Sequence, residues 1–423
     1  MLSVADNELL TRTGPGTPMG DVFRRFWIPA LLASEVGDPG SAPVRVSLLG
    51  EKLVAFRSPD GEVGLLEARC PHRHASLFWG RNEEDGIRCV YHGWKFGRDG
   101  QCLEMPAEPE DSSYRERVRA VAYPTREAAG VIWAYLGPEE LKPEFPDFEF
   151  KDLPEGQFHA SKRLQRCNYF QNIEGELDTA HVQFLHRTFG EHDFAPQHNF
   201  DAAENPTYTI EEHGSGILAI AQRHFPEGGN YWRITPFLMP AMTLVPSTGS
   251  HHTMTAAIPL DDENMWGFTI TWQPDRPFDD EDWKRDLEGL TLHVNVDPET
   301  FIPERNRDNN FLIDRKKQMS LTDGNFTGID GIRNQDLPVQ EDQDGAICDR
   351  STEHLGTTDR AIVAARRLML RSAKALQKGT EPPQAQAAGA YRIHSFAGAG
   401  TEEQTWQELL AGNQPADGPL ATF

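Results

Sequence analysis

Residues 70–94 read CPHRHASLFWGRNEEDGIRCVYHGW. Within them Cys70-Pro-His72 is followed, after sixteen intervening residues, by Cys89-x-x-His92. Thiolate sulfur and imidazole nitrogen both bind borderline metals, so two of each in two short loops predict one metal centre. The donor set suits a tetrahedral zinc ion or a two-iron, two-sulfur cluster. The pairing separates them: zinc fingers usually pair Cys with Cys and His with His, whereas each pair here is mixed. In such a cluster two cysteines hold one iron and two histidines the other, which raises the potential and suits an electron store. His74 is an alternative to His72, but the spacing favours His72. Trp94 is expected to pack over the centre.

A second pattern lies about a hundred residues on, in NIEGELDTAHVQFLH (172–186). Glu174, Asp178 and His181 stand at i, i+4 and i+7, one face of a helix. His186, five residues beyond His181, is rotated about 140° from it on an ideal helix. For both to bind one metal, the helix must kink, bulge or end. Two histidines and a carboxylate make a facial triad that leaves coordination positions for dioxygen and substrate. Asp336, in GIRNQDLPVQE, is the expected carboxylate; Glu341 and Asp342 are alternatives.

Working outward, 423 residues allow two or three domains. The formal charge is −24, with 41 Lys plus Arg against 65 Asp plus Glu, which argues against nucleic acid as a partner. No run of eighteen apolar residues and no signal-peptide pattern occurs, so neither membrane span nor export is expected. Five cysteines, an odd number, disfavour a disulfide framework; a reducing cytoplasm is expected. Cys102, Cys167 and Cys348 have no ligand-spaced partner.

The expected organisation is α+β. Residues 1–40 form a helical lead-in, with Phe23, Trp27 and Leu31 or Leu32 on one face. A β-rich domain over 41–145 holds the Cys/His pairs, and the stretch from Pro138 to Pro154, across its boundary, reads as a linker. A catalytic domain over 146–380 combines helices at 168–188, 280–295 and 358–378 with an antiparallel sheet over 207–274. Residues 381–423 form an extended tail.

With these segments in place, the chain resembles the α subunits of Rieske non-haem iron aromatic-ring oxygenases, most of all the phthalate 4,5-dioxygenase group. ELLTRTGPGTPMGDVFRRFW, CPHRHASLFWGRNEEDGIRCVYHGWKF, NIEGELDTAHVQFLH, and GIRNQDLPVQE followed by EHLGTTDRAIVAARR carry the resemblance over nearly the whole chain. It implies a Rieske [2Fe-2S] domain ahead of a helix-grip catalytic domain holding mononuclear Fe(II), in a trimer or hexamer. It implies that His92 faces Asp178 of a neighbouring subunit, that Asp178 bridges to His181, and that Glu174 supports the iron ligands. No dinucleotide or flavin pattern occurs, so a separate NADH-dependent flavin and iron–sulfur reductase is implied.

The expected activity is hydroxylation of an aromatic carboxylate by dioxygen, as a phthalate-type cis-dihydroxylation. O-demethylation of a methoxylated aryl carboxylate is the alternative within the class. A Rieske electron carrier without its own chemistry predicts no second iron, and a zinc-stabilised binding protein predicts no labile sulfide. Arg223 and Arg233, on predicted strands, are candidates for holding the substrate carboxylate.

Overall fold

The computed structural model of the chain describes residues 1–109, 111–188, 206–226, 228–246 and 251–420. Two short helices open it, α1 (Val4–Thr11) and α2 (Pro18–Phe23). Ser3 caps α1 and Thr17 caps α2, with Pro18 at a position that needs no amide. The helical lead-in stops there. Trp27–Leu32, expected to continue it, is a strand antiparallel to Val131–Tyr135. Pro29 gives the reason: it lacks the N–H a helix interior needs, and the ladder shifts register between Pro29 and Leu31 to accommodate it.

Short antiparallel strands fill the first half in three sheets. One contains Arg81–Glu83, Gly86–Arg88, Lys95–Phe96 and Cys102–Glu104, and it frames the second Cys/His pair. The Pro- and Glu-rich stretch that follows is no loose linker. Phe148 and Phe150 are buried in it and stack at 4.8 Å beside Trp133. Aromatic burial of this kind is worth several kcal/mol, roughly 2 or more per ring.

The second half is built on one antiparallel sheet of eight strands: β1 (Phe158–Gln165), β2 (Thr207–His213), β3 (Gly216–His224), β4 (Asn230–Leu238), β5 (Met242–Val245), β6 (His252–Pro259), β7 (Met265–Trp272) and β8 (Phe396–Gly400). The spatial order is β1-β7-β6-β5-β4-β3-β2, with β8 pairing β4. Residues opposite one another across strands share a face. Ser161, Thr269, Thr255, Thr243 and Phe237 form one row across it. Arg163 and Gly267, Arg233 and Ala221, and Tyr231 and Arg223 lie on that same face by alternation. It is buried yet polar, and its hydroxyls satisfy one another: Thr243 to Thr255 at 2.7 Å, Thr253 to Thr271 at 2.9 Å. The reverse face carries Met254, Ala256, Phe268 and Ile270, which belong to the main apolar core.

Four helices matter to the site: α3 (Tyr169–Leu177), α4 (Val182–Leu185), α5 (Ile332–Glu341) and α6 (Arg360–Leu376). Asn168 caps α3 and its carboxamide also donates to Thr11 O and Asp262 O, tying the helix to the lead-in. Gln340 of α5 accepts from Gln165 at 2.7 Å, which sets α5 over the polar face of the sheet. The helix expected over 280–295 covers only Asp280–Leu287, its last turn widened to a π turn, before Glu288 turns to extended geometry. Over residues 380–420 the tail is ordered rather than loose. Tyr391, Ile393 and Leu410 join the main core, and β8 adds a strand. Backbone pairing and a few apolar anchors hold a stretch whose composition carries little periodic signal. Among the described residues no helix is long and apolar enough to cross a membrane.

Candidate metal centres

Cys70 and Cys89 begin two loops of the same form. In each, the cysteine N–H donates to the carbonyl five residues on, Ala75 at 2.8 Å and Trp94 at 2.8 Å. Each cysteine carbonyl accepts from the amide four residues on, His74 at 2.9 Å and Gly93 at 3.0 Å. That fourth residue has positive φ, 59° at His74 and 75° at Gly93. His74 is therefore the counterpart of a turn glycine, with an exposed ring. The rings of His72 and His92 meet edge-on at 4.5 Å, and Trp94 stacks on His72 at 4.3 Å. The second loop is held from below by Arg88, which donates to Gly93 O and is paired with Glu83 and Glu104.

The donors fit a cluster of the Rieske type. His72 Nδ1 is buried without a hydrogen-bond partner. Burial and the neighbouring Cys89 sulfur push the Cys70 thiol up to about 11, so the two thiols need a cation between them to ionise together.

The second centre forms where α3 ends. Asp178 is the C-cap of α3, and His181 and His186 flank the single turn of α4. The helix thus breaks before His181 and not between the two histidines as expected; the turn of α4 spans them and ends at His186. His181 Nε2 and His186 Nε2 lie 3.2 Å apart with the rings at 74°. Asp336 Oδ1 lies 3.7 Å from the first and 3.5 Å from the second. One donor atom from each of the three falls within 4.8 Å of the others. His186 Nδ1–H donates to Gln335 Oε1 at 2.7 Å, which leaves the Nε2 lone pair facing the other donors. Burial pushes His186 down to about 4, so its ring is neutral at pH 7, as a ligand must be. Three converging donors of this kind suit a divalent iron. Glu341 takes no part; it accepts from Arg166 N, and Asp342 is exposed.

Asp178 Oδ2 stands 3.6 Å from His181 Nδ1, while Oδ1 accepts from Ala180 N at 2.7 Å. Burial raises the Asp178 carboxyl, but His181 and the amides of Ala180 and His181 outweigh it and hold it below its usual range. Asp336 Oδ2 is held by Arg333 at 3.2 Å, and Arg333 also pairs with Glu176 at 2.6 Å. Glu174 points elsewhere. Its oxygens are taken by Arg350 at 2.8 Å and Arg366 at 2.6 Å, a clamp joining α3 to α6. The break at Asp178 separates it from the face it was expected to share.

Arg223 is fully buried and donates to Thr179 O at 3.1 Å, directly behind the Asp178–His181 loop. Arg233 donates to Pro246 O at 3.4 Å, and its charge is felt at His181. Gln335, Arg333, Glu176 and Arg163 were not singled out from sequence. Gln335 had a signal, since it precedes Asp336; Arg163 had one in the alternation of β1, FHASKRLQ.

A second group of two histidines and a carboxylate, His252, His394 and Glu149, lies where β6, the C-terminal segment and the aromatic connector meet. Its rings are stacked at 3.6 Å and 18°.

A fold of this kind, with paired Cys/His loops and a His–His–Asp triad, defines a Rieske oxygenase. Residues 26–122 match the Rieske [2Fe-2S] domain and residues 134–421 match the LigXa C-terminal domain like family. The chain is 38% identical to the 3-chlorobenzoate-3,4-dioxygenase oxygenase subunit of Comamonas testosteroni, over 90% of this chain and 91% of that protein. It is 36% identical to the phthalate 4,5-dioxygenase oxygenase subunit of Pseudomonas putida, over 97% and 95%. It is 31% identical to the 5,5'-dehydrodivanillate O-demethylase oxygenase subunit of a Sphingobium strain, over 90% and 83%. The solved structure of a Pseudomonas putida CBB5 NdmA mutant with caffeine shares the fold, with a TM-score of 0.61 at 19% identity over 92% of this chain and all of that one. The chain belongs to the Rieske non-haem iron oxygenases as an oxygenase α subunit, and within them to the phthalate 4,5-dioxygenase-like group. Its cofactors are a Rieske [2Fe-2S] cluster and a mononuclear iron.

Proposed function

We propose that the chain hydroxylates an aromatic carboxylate with dioxygen and electrons from a separate NADH-dependent flavin and iron–sulfur reductase. In this reading Cys70, His72, Cys89 and His92 hold the cluster, and His181, His186 and Asp336 hold the iron. The observation that carries it is the convergence of two imidazole nitrogens and a carboxylate oxygen at 4.8 Å or less, with Asp178 beside one of them, in a chain that also holds the two cysteine loops. When bound, the cluster supplies single electrons and the ferrous iron activates dioxygen.

The chain's own residues do the rest. Gln335 fixes the His186 ring, and Arg333 takes one oxygen of Asp336 so that the other faces the histidines. Asp178, between His181 and the surface, orients that ring and couples it to what lies beyond. His92 sits beside exposed Tyr91 (55%), and Phe184, on the turn between His181 and His186, is exposed as well. Two apolar rims of this kind support an inter-subunit electron path from His92 to a neighbour's Asp178, in a trimer or a hexamer. Arg233, on the polar sheet face, supports an anionic substrate; Arg223 holds the Asp178–His181 loop. The O-demethylase relative keeps a second reading open at the same site, removal of a methyl group from a methoxylated aryl acid.

The test is turnover with a surrogate reductase over phthalate isomers and methoxylated or halogenated benzoates, read by mass spectrometry under labelled dioxygen. A dihydrodiol with both labelled atoms is expected. Formaldehyde plus a phenol would assign demethylation instead. No product from any aryl acid, with both iron centres loaded, would overturn the substrate class.

A further inference from the structure

Arg163 is 2% exposed, on the polar face of the catalytic sheet, and it has no counter-ion. Among the described residues no carboxylate lies within ion-pair distance of its guanidinium. Its contacts are long ones to neutral groups: Nε to Gln165 Oε1 at 3.4 Å and Nη1 to Thr269 Oγ1 at 3.5 Å. Nη2 is buried with no partner at all. The acids in its neighbourhood are engaged already. Glu176 pairs with Arg333 at 2.6 Å, and Asp336 gives Oδ2 to Arg333 and Oδ1 to the histidines. Arg333 is a like charge nearby, and burial together with that repulsion pushes Arg163 down to about 9.

A buried, unpaired guanidinium is among the costliest groups a fold can hold. The sheet nevertheless makes a place for it. Arg163 lies flat across β7 over Gly267, where a Cβ would come within 2.5 Å of the guanidinium carbon. Any other residue at 267 would expel it. By contrast Arg333, Arg350 and Arg366, equally buried, each have carboxylate partners. Arg163 is the exception, and it stands among the neighbours of the triad carboxylate.

We infer that Arg163 is a specificity-determining residue whose open N–H groups accept the carboxylate of the substrate. The inference rests on the aryl-acid reading above and adds a second cation for that charge to Arg233 on the same sheet face. A carboxylate there completes the missing ion pair, so the pocket discriminates acids from neutral isosteres by a desolvated charge rather than by shape.

The test is calorimetric binding of benzoate, phthalate and benzamide to the iron-loaded full chain, in the wild type, Arg163→Gln and Arg163→Lys. Arg163→Gln is expected to weaken both acids by about 10- to 100-fold and to leave benzamide within about 2-fold. Arg163→Lys keeps the charge but loses the fork, and is expected to lose less. The ligand-free Gln variant should melt no lower than the wild type, because it removes an unpaired charge, while its thermal shift with benzoate disappears. Unchanged acid affinity in both variants would overturn the inference and leave the aryl-acid reading standing. A wild type that binds benzamide but neither acid would overturn both. Chloride alone reproducing the benzoate shift in the wild type, and losing it in Arg163→Gln, would assign the seat to an inorganic anion and overturn the substrate role.

Discussion

His181, His186 and Asp336 form one group of two imidazoles and a carboxylate; His252, His394 and Glu149 form another, and in both the donor atoms lie within 4.8 Å. In the first, the rings stand at 74° and the Nε2 atoms face each other at 3.2 Å. In the second, the rings are stacked at 18°, so their in-plane lone pairs run parallel instead of converging. His394 is also occupied at both ring nitrogens: Nδ1 lies 2.8 Å from Asn413 O and Nε2 2.8 Å from Glu149 Oε2. Glu149 accepts from Trp272 Nε1 as well. Proximity of donors is common to both; convergence of lone pairs belongs to one. The second group reads as a fastener between the C-terminal segment and the connector.

Replacing ligands should give the largest difference between the groups. His186→Ala is expected to lose the mononuclear iron and, with it, at least about 100-fold in turnover, with the Rieske spectrum intact. His252→Ala should leave metal content unchanged; a fall in metal per chain by mass spectrometry would break the comparison. Asp178→Asn should keep both metals yet lower turnover by about 100-fold, and substantial remaining activity would sink its bridging role.

Glu174→Gln is expected to cost about 3 kcal/mol of stability, because Arg350 and Arg366 lose their shared anion, with turnover per bound iron preserved in chemical denaturation and assay. Gln335→Leu frees His186 Nδ1 and should weaken iron binding by about 10-fold, read in a chelator competition.

The smallest effect belongs to the fastener. Burial raises Glu149, but His394 and Trp272 outweigh it, so its folded carboxyl lies below the ordinary value. Its contribution is therefore present above the usual carboxylate pKa and fades as pH falls through the folded value. Glu149→Gln should cost about 1 kcal/mol at pH 7 and flatten the acid side of the stability curve, with iron content untouched.

Local signals in the sequence carried much of this site. The Cys/His spacing marks two loops because each loop closes its own hydrogen bonds within five residues. Helix geometry alone led to a break expected between His181 and His186; the break instead falls at Asp178, and the turn of α4 joins the two histidines. What sequence did not disclose is set by long-range partners. Glu174 reads as a member of the Asp178 face until Arg350 and Arg366 arrive from far down the chain. The group at His252 needs Glu149 and His394, over a hundred residues away on either side. Arg163 is defined by what does not meet it, which no local pattern records.

The pairing of β8 with β4 joins Asn230 to Gly400. During synthesis, therefore, the catalytic sheet stays one strand short until residues 396–400 have left the ribosome, while the cysteine loops are complete far earlier. Birth order alone separates the two halves: the electron store can be folded and waiting before the oxygen-activating half has the last of its parts.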